Sequence, residues 1–176
     1  MNNDFKISPA LILLRGKPAV GKSHLARTLG AKLAIPFVDK DDIKDIVANY
    51  FTAQDIADYF SYAIMFNIAA SYLKNDSAVI CDSPLYPQYS FFQAQRLADK
   101  LNVPLKVVRV VLTDEKKWQN QMEGRSDFPS HRYKEWGKHK KELLDNKSYS
   151  IKDEFIVDMG HFSDKTLDEL VNFLIK

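Results

Sequence analysis

A parallel, doubly wound α/β sheet is the fold class this sequence predicts, on three observations. Apolar runs of strand length alternate with helical patterns along the chain. The runs are continuously apolar, as in strands covered on both faces, rather than alternating. A glycine-bearing loop separates the first strand from the first helix, and open α/β sheets bind ligands beyond the C-terminal ends of their strands. The expected architecture is three layers around five parallel strands.

The elements follow in order. Ala10 to Leu14 is a continuous apolar run and reads as a buried strand. Residues 22–33 have helical spacing through Leu25, Leu29 and Leu33, and Pro36-Phe37-Val38 is a short second strand. From Asp39 onward the spacing of Ile43, Ile46 and Val47 is helical. Residues 53–74 form the longest helix candidate, with Ile56, Tyr59, Phe60, Ala63, Ile64 and Ile68 on one broad face. Ala78 to Cys81 is the third strand, and the loop Ser83 to Gln88 is broken by Pro84 and Pro87. A helix at 89–101, a strand at Leu105 to Leu112 and a helix at 114–123 come next. Residues 125–150 are polar, basic and weakly periodic. Glu154 to Val157 is the fifth strand and 163–175 the closing helix.

A length of 176 residues suits one domain spanning 1–176. Hydrophobic residues at 45% and aromatics at 12% supply a core and exclude a disordered tail. With 25 Lys+Arg against 23 Asp+Glu, the net charge of +2 argues against whole-molecule attraction to nucleic acid or to an anionic membrane. That small total hides a segregation. Residues 39–58 carry six Asp and two Lys, whereas 125–141 carry six Lys+Arg against Asp127 and Glu135. One cysteine excludes an internal disulfide framework and an all-Cys zinc site, and Cys81 reads as a small core side chain. No signal core and no run of about 20 apolar residues is present, so a cytoplasmic protein without a membrane partner is expected. Monomer and homodimer both stay open.

Gly16-Lys17-Pro18-Ala19-Val20-Gly21-Lys22-Ser23 fits G-x-x-x-x-G-K-[ST], the P-loop pattern, between a predicted strand and a predicted helix. Backbone N–H groups of such a loop wrap a phosphate chain, and the helix N-terminus, here continuing into His24, adds a favourable dipole. Lys22 would reach the β- and γ-phosphates, and the Ser23 hydroxyl would help hold Mg²⁺. A guanine-specific protein is not indicated. The N-K-x-D pattern fails at Asn146-Lys147-Ser148-Tyr149, and Asp82-Ser83-Pro84-Leu85 stands where D-x-x-G would.

Together with Leu33 to Ile43 and Val79 to Ser83, this loop resembles the P-loop small-molecule and nucleotide kinases among the AAA-type ATP-binding proteins. These include shikimate and gluconate kinases, zeta-toxin-like phosphotransferases and the 5′-kinase module of polynucleotide kinases. The resemblance runs from about Leu11 to the last helix. It implies a P-loop kinase fold with a lid at about 125–150, and ATP-dependent, Mg²⁺-assisted transfer of the γ-phosphate to a hydroxyl of a small-molecule acceptor. By resemblance Asp39 lies near the metal, Asp41 binds the acceptor or acts as general base, and Asp82 orients Mg²⁺. Asp39 and Asp41 also suit helix capping, and Asp82 also suits a turn before Ser-Pro. Asp42 should point away from the site. Lys44 occupies a place where relatives carry an arginine, whose planar two-point grip a lysine lacks. Arg125 and Arg132 are the lid candidates, with His131 and Lys134 behind them. His131 and His139 lack completing ligands and read as surface residues. Tyr50, Phe51, Tyr59, Phe60, Tyr62, Tyr86 and Tyr89 either line an acceptor pocket or pack the core. Two other readings stay open: a kinase acting on a nucleotide or nucleic-acid end, and a nucleotide-binding regulatory protein with little turnover.

Overall fold

Five strands run parallel in the order β2-β3-β1-β4-β5 in the computed structural model, which describes residues 7–51, 53–85, 88–128, 130–131, 133–145 and 149–176. They are β1 (Leu11–Arg15), β2 (Phe37–Asp39), β3 (Val79–Asp82), β4 (Leu105–Val111) and β5 (Phe155–Asp158). The helices are α1 (Lys22–Leu33), α2 (Lys40–Val47), α3 (Gln54–Lys74), α4 (Tyr89–Leu101), α5 (Glu115–Glu123), α6 (Trp136–Asp145) and α7 (Asp164–Ile175).

Alternation along the strands builds the three layers. Ile12, Leu14, Val108, Val110 and Val157 face one core with Leu25 and Leu29 of α1 and Leu170 and Leu174 of α7. Leu11, Leu13, Val79, Cys81 and Val107 face the other, under Tyr62, Met65 and Phe66 of α3 and Ala94 and Ala98 of α4. The chain leaves β1 toward the β2 edge and leaves β3 toward β4. The crevice therefore opens beyond the ends of β1 and β3. Register places Asp39, Asp82 and Leu14 side by side at that edge.

Three sequence expectations change in detail. Four of the strands run one residue past the apolar run, into Arg15, Asp39, Asp82 and Asp158. An apolarity criterion drops those residues because they are charged: Asp39 and Asp82 meet Ser23, Arg15 pairs with Glu154, and Asp158 accepts from Thr113 and Gly160. Next, the broad α3 face carrying Ile56, Tyr59, Phe60, Ala63, Ile64 and Ile68 is the exposed one. The buried side of α3 is Ala57, Ser61, Tyr62, Met65, Phe66, Ala69, Ala70 and Leu73. The helix is apolar nearly all round, so spacing alone could not choose which face goes inward. Finally, the polar 125–150 stretch contains α6, anchored by buried Trp136 and Leu143. Trp136 packs edge-on against Trp118 of α5, with ring centroids 5.1 Å apart. Among the described residues, no helix is long and apolar enough to cross a membrane.

Candidate active site

The loop after β1 needs its glycines. Gly16 has φ +154°, and a Cβ there would lie 2.2 Å from the Val110 carbonyl oxygen. Gly21 has φ +100°, and a Cβ would press on Met159 at 3.1 Å. The turn delivers α1 with no side chain capping its N-terminus, so its first-turn N–H groups stay available to an anion. Lys22 Nζ folds back to donate to the Lys17 carbonyl at 3.1 Å. Val20 is buried, whereas His24 is exposed and borders the cleft with Ala19.

Ser23 Oγ stands 2.6 Å from Asp82 Oδ2 and 3.1 Å from Asp39 Oδ2. One hydroxyl hydrogen serves only one of them. Asp82 is 1% exposed and its Oδ1 has no hydrogen-bond partner. Burial pushes its carboxyl up to about 7, with Lys22 opposing and Asp39 adding to the rise. Burial also raises Asp39, whose Oδ1 accepts from the Asp41 N–H at 2.9 Å and so caps α2. The capping and metal readings of Asp39 thus share one carboxylate, an oxygen for each. Two crowded carboxylates, one of them with an orphaned oxygen, and a hydroxyl make a hard-oxygen donor set that fits Mg²⁺. Among the described residues no three His, Cys, Asp or Glu are grouped so as to hold a metal ion, and Mg²⁺ typically takes one or two carboxylates and keeps several waters.

Beyond this edge lie two cavities. A cleft of about 590 Å³ is bordered by Lys22, Ser23, Asp39, Asp82, Arg125 and His131. A second, of about 240 Å³, is bordered by Lys22, Lys40, Asp41, Lys44, Asp58 and Arg125. Asp41 and Arg125 front both. Asp42 does not point away; it sits exposed on the rim of the larger cleft.

Sequence reasoning missed Lys40 and Asp58. Lys40 is buried, with Nζ 2.9 Å from Asp58, 3.1 Å from Asp41 and 5.4 Å from the centre of the Tyr62 ring. Lys44 is buried too, 2.9 Å from the same Asp58 carboxylate. Burial alone would raise the Asp58 carboxyl, but the two lysines hold it below its ordinary value. The available signal was the four-residue spacing of the lysines, which puts both on one helix face.

The segment expected as a lid is tied to the rest of the molecule at Ser130 and at Leu143. The Ser130 N–H and Oγ bond the Asp45 carboxylate of α2 at 2.7 and 3.1 Å. Lys17 Nζ donates to the Leu143 carbonyl of α6, and Trp118 Nε1 donates to the Pro18 carbonyl at 2.8 Å. Burial lowers the pKa of Arg125, which donates to the Tyr133 carbonyl at 3.4 Å, while Asp41, Asp45 and Asp39 oppose the fall. Arg132 and Tyr86 lie outside the described residues. Lys134 pairs with Asp127, away from both cavities. His131 contacts the Ser126 carbonyl and His139 contacts Glu142, so the two are not brought together as a pair.

The aromatic expectation is corrected. Tyr50, Phe51, Tyr59, Phe60 and Tyr89 are exposed, and only Tyr62 packs the core. None of these six lines either cavity. Tyr62 lies on the buried side of α3 with Lys40 over its ring, whereas Tyr59, Phe60 and Tyr89 border a separate open hollow of about 580 Å³ on the outer side.

Several solved structures share this architecture. Kti12 of Chaetomium thermophilum, in complex with ADP-AlF3, matches with TM-score 0.70 and 17% identity over 94% of this chain and 99% of that one. The Mycobacterium tuberculosis APS kinase CysC, in complex with AMPPNP and APS, matches with TM-score 0.69 and 11% identity over 97% and 99%. A gluconokinase from Sinorhizobium meliloti 1021 matches with TM-score 0.62 and 17% identity over 95% and 90%. These likenesses establish a P-loop kinase-like fold. No match was found among curated proteins. The AAA_33 model, described as an AAA domain, matches residues 11–140, most of the chain, and the chain therefore belongs to that family.

Proposed function

We infer that the protein is an ATP-dependent phosphotransferase that moves the γ-phosphate to a hydroxyl of a small-molecule acceptor. The observation that carries this is the convergence of loop residues Lys22 and Ser23, Asp39, Asp82, Asp41 and Arg125 on two cavities that share Lys22, Asp41 and Arg125 as lining. Residues 16–24 cradle the triphosphate through backbone N–H groups and the α1 dipole. Lys22 exchanges its carbonyl partner for a phosphate oxygen. Ser23, Asp39 and Asp82 would hold Mg²⁺, which when bound neutralises charge on the β- and γ-phosphates.

Asp41 is the general base. As the acceptor oxygen bonds to the γ-phosphorus and the bond to the ADP oxygen breaks, Asp41 takes the hydroxyl proton. Arg125 stabilises the transferring group from the lid side, with Arg132 as a second candidate. Lys17 ties α6 to the loop, and a lid held there would help exclude water during transfer. The smaller cavity, bordered by charged groups and by no aromatic from α3, suits a compact polar alcohol. Residues 1–176 act in this scheme as one domain with the lid at about 125–150.

Calorimetric titration of ATP–Mg²⁺ tests the cradle: Lys22→Ala should bind far more weakly, and equal affinity would overturn the assignment. A screen of metabolite pools for ATP-dependent phosphorylation, with Asp41→Asn as control, identifies the acceptor. Product formation that is indifferent to Asp41→Asn would remove that residue as base.

A further inference from the structure

A third cavity, of about 230 Å³, lies where the phosphate loop leaves β1, and the transfer scheme makes no use of it. Arg15, Lys17, Pro84, Arg109, Val111 and Trp118 are among its walls. Asp41, Arg125, Ser23 and Asp82 are not, and it shares only Lys17 and Pro84 with the smaller of the two cavities above. Two arginines meet beside it. Arg15 and Arg109 are register partners on neighbouring strands. By alternation from Leu13 and Val107 they share the sheet face under α3 and α4. One carboxylate answers both: Glu154 lies 3.4 Å from Arg15 Nη1 and 3.1 Å from Arg109 Nε. The Arg15 and Glu154 side chains are buried, at 2% and 6% exposure.

This group is short of negative charge and of hydrogen bonds. Within ion-pair distance two guanidiniums share a single carboxylate. Lys17, on the same wall, spends its Nζ on the uncharged Leu143 carbonyl. Arg15 has further support, since its Nη2 donates to the Tyr149 carbonyl at 2.5 Å and its guanidinium lies 4.5 Å from the centre of the Tyr149 ring. Arg109 has none: among the described residues it touches only Glu154, and its Nε makes no hydrogen bond there. Arg15 Nη1 and Glu154 Oε2 are also buried without a hydrogen bond. A buried network with surplus cation and unmade bonds is costly until something completes it.

We propose that this cavity binds a small organic carboxylate, gripped by Arg109 and balanced by Arg15, with its apolar body against Val111, Pro84 and Trp118. A carboxylate matches the planar fork of a guanidinium, and its charge offsets the surplus. The rest of the wall is apolar, which a bare inorganic anion would leave unfilled. Size agrees. The volume exceeds the roughly 150 Å³ that holds benzene and falls below the roughly 300 Å³ where pockets for drug-sized ligands begin. One ring or branched chain bearing one acid fits these limits, and a nucleotide does not. Asp41 does not border the cavity, so the ligand is held beside the transfer site and is not its acceptor. It would touch Gly16 and Lys17, the first two residues of the phosphate loop.

Benzoate is the probe, titrated into the ¹⁵N-labelled full chain and followed by NMR. The reporters are the Gly16 amide and the Trp118 indole N–H, which is fixed on the Pro18 carbonyl at 2.8 Å. Both resonances should move along one saturable curve, with a dissociation constant on the order of 1 mM. Benzamide, the neutral counterpart, should bind at least about 10-fold more weakly, and Arg109→Gln should weaken benzoate by a similar factor. Arg109 is 26% exposed and its loss leaves the Arg15–Glu154 pair, so circular dichroism should not change. Val111→Phe, which fills the cavity without touching a charge, should abolish the shifts. Lys22→Ala should bind benzoate as the wild type does, because Lys22 does not border this cavity. No saturable shift up to tens of millimolar, equal binding of benzamide, or indifference to both Arg109→Gln and Val111→Phe overturns the proposal. Loss of benzoate binding in Lys22→Ala would place the anion in the phosphate cradle and overturn it too. Inorganic phosphate moving the same two resonances as strongly as benzoate overturns the choice of an apolar carboxylate.

Discussion

The phosphate loop and the Lys40–Lys44–Asp58 cluster face the same cavity, yet they are built on opposite principles. The loop is eight contiguous residues whose polar groups, with the Asp82 carboxylate of β3 that they face, are incompletely matched. Lys22 leans on a backbone carbonyl, Asp82 Oδ1 has no partner, and Ser23 faces two carboxylates with one hydrogen. The cluster joins positions 14 to 18 residues apart into a buried network in which each charge has an opposite charge within 3.1 Å. An unmatched site is poised for a ligand, whereas a matched one shapes the wall around it. The cost of a mutation should differ accordingly: function first in one region, stability first in the other.

The largest effect should come where the two regions meet. Asp41→Asn should lower kcat by about 10³-fold while ATP affinity, read by calorimetry, stays near wild type. Loss of ATP binding with it would place Asp41 in the cradle instead. Gly16→Ala should abolish nucleotide binding and cost about 3 kcal/mol, because its φ and the Val110 carbonyl both reject a Cβ. Denaturant titration beside ATP titration reads both losses.

Asp58→Asn breaks the cluster and should cost about 2 kcal/mol, with ATP affinity nearly unchanged, since Lys40 keeps Asp41 but Lys44 loses the carboxylate beside it. The pH dependence sharpens this prediction. Asp58 is held below its ordinary value, so its contribution is present above about pH 4 and is lost as pH falls through the lower folded value. The difference in urea midpoint between wild type and Asp58→Asn should therefore be widest near neutrality and shrink in acid. The smallest effect belongs to the lid: Asp45→Ala removes two hydrogen bonds to Ser130 and should cost about 1 kcal/mol or less. A several-fold rise in KM, with kcat little changed, would mark the latch as closing the site rather than holding the fold.

Legibility follows the same division. The loop could be read directly because its chemistry is local: two glycines with special torsions, a lysine and a serine at fixed offsets after an apolar strand. Asp39 and Asp82 could be placed because each ends a recognisable strand, although the strands ran one residue further than apolarity suggested. The Lys40–Asp58 pairing left no pattern that links the two positions. The inward face of α3 was ambiguous because apolar residues surround the helix. α6 was hidden because Trp136 and Leu143 are seven residues apart in a lysine-rich segment.

By itself, the sequence determined the parallel α/β class, the five strands and the phosphate loop, since each rests on short-range pattern and backbone torsion. Only the tertiary structure decided which charges are buried together, which face of α3 meets solvent and how the lid is tied to α2 and to the loop. Those depend on pairings between distant segments, whose geometry is fixed only when the sheet has brought them to one edge.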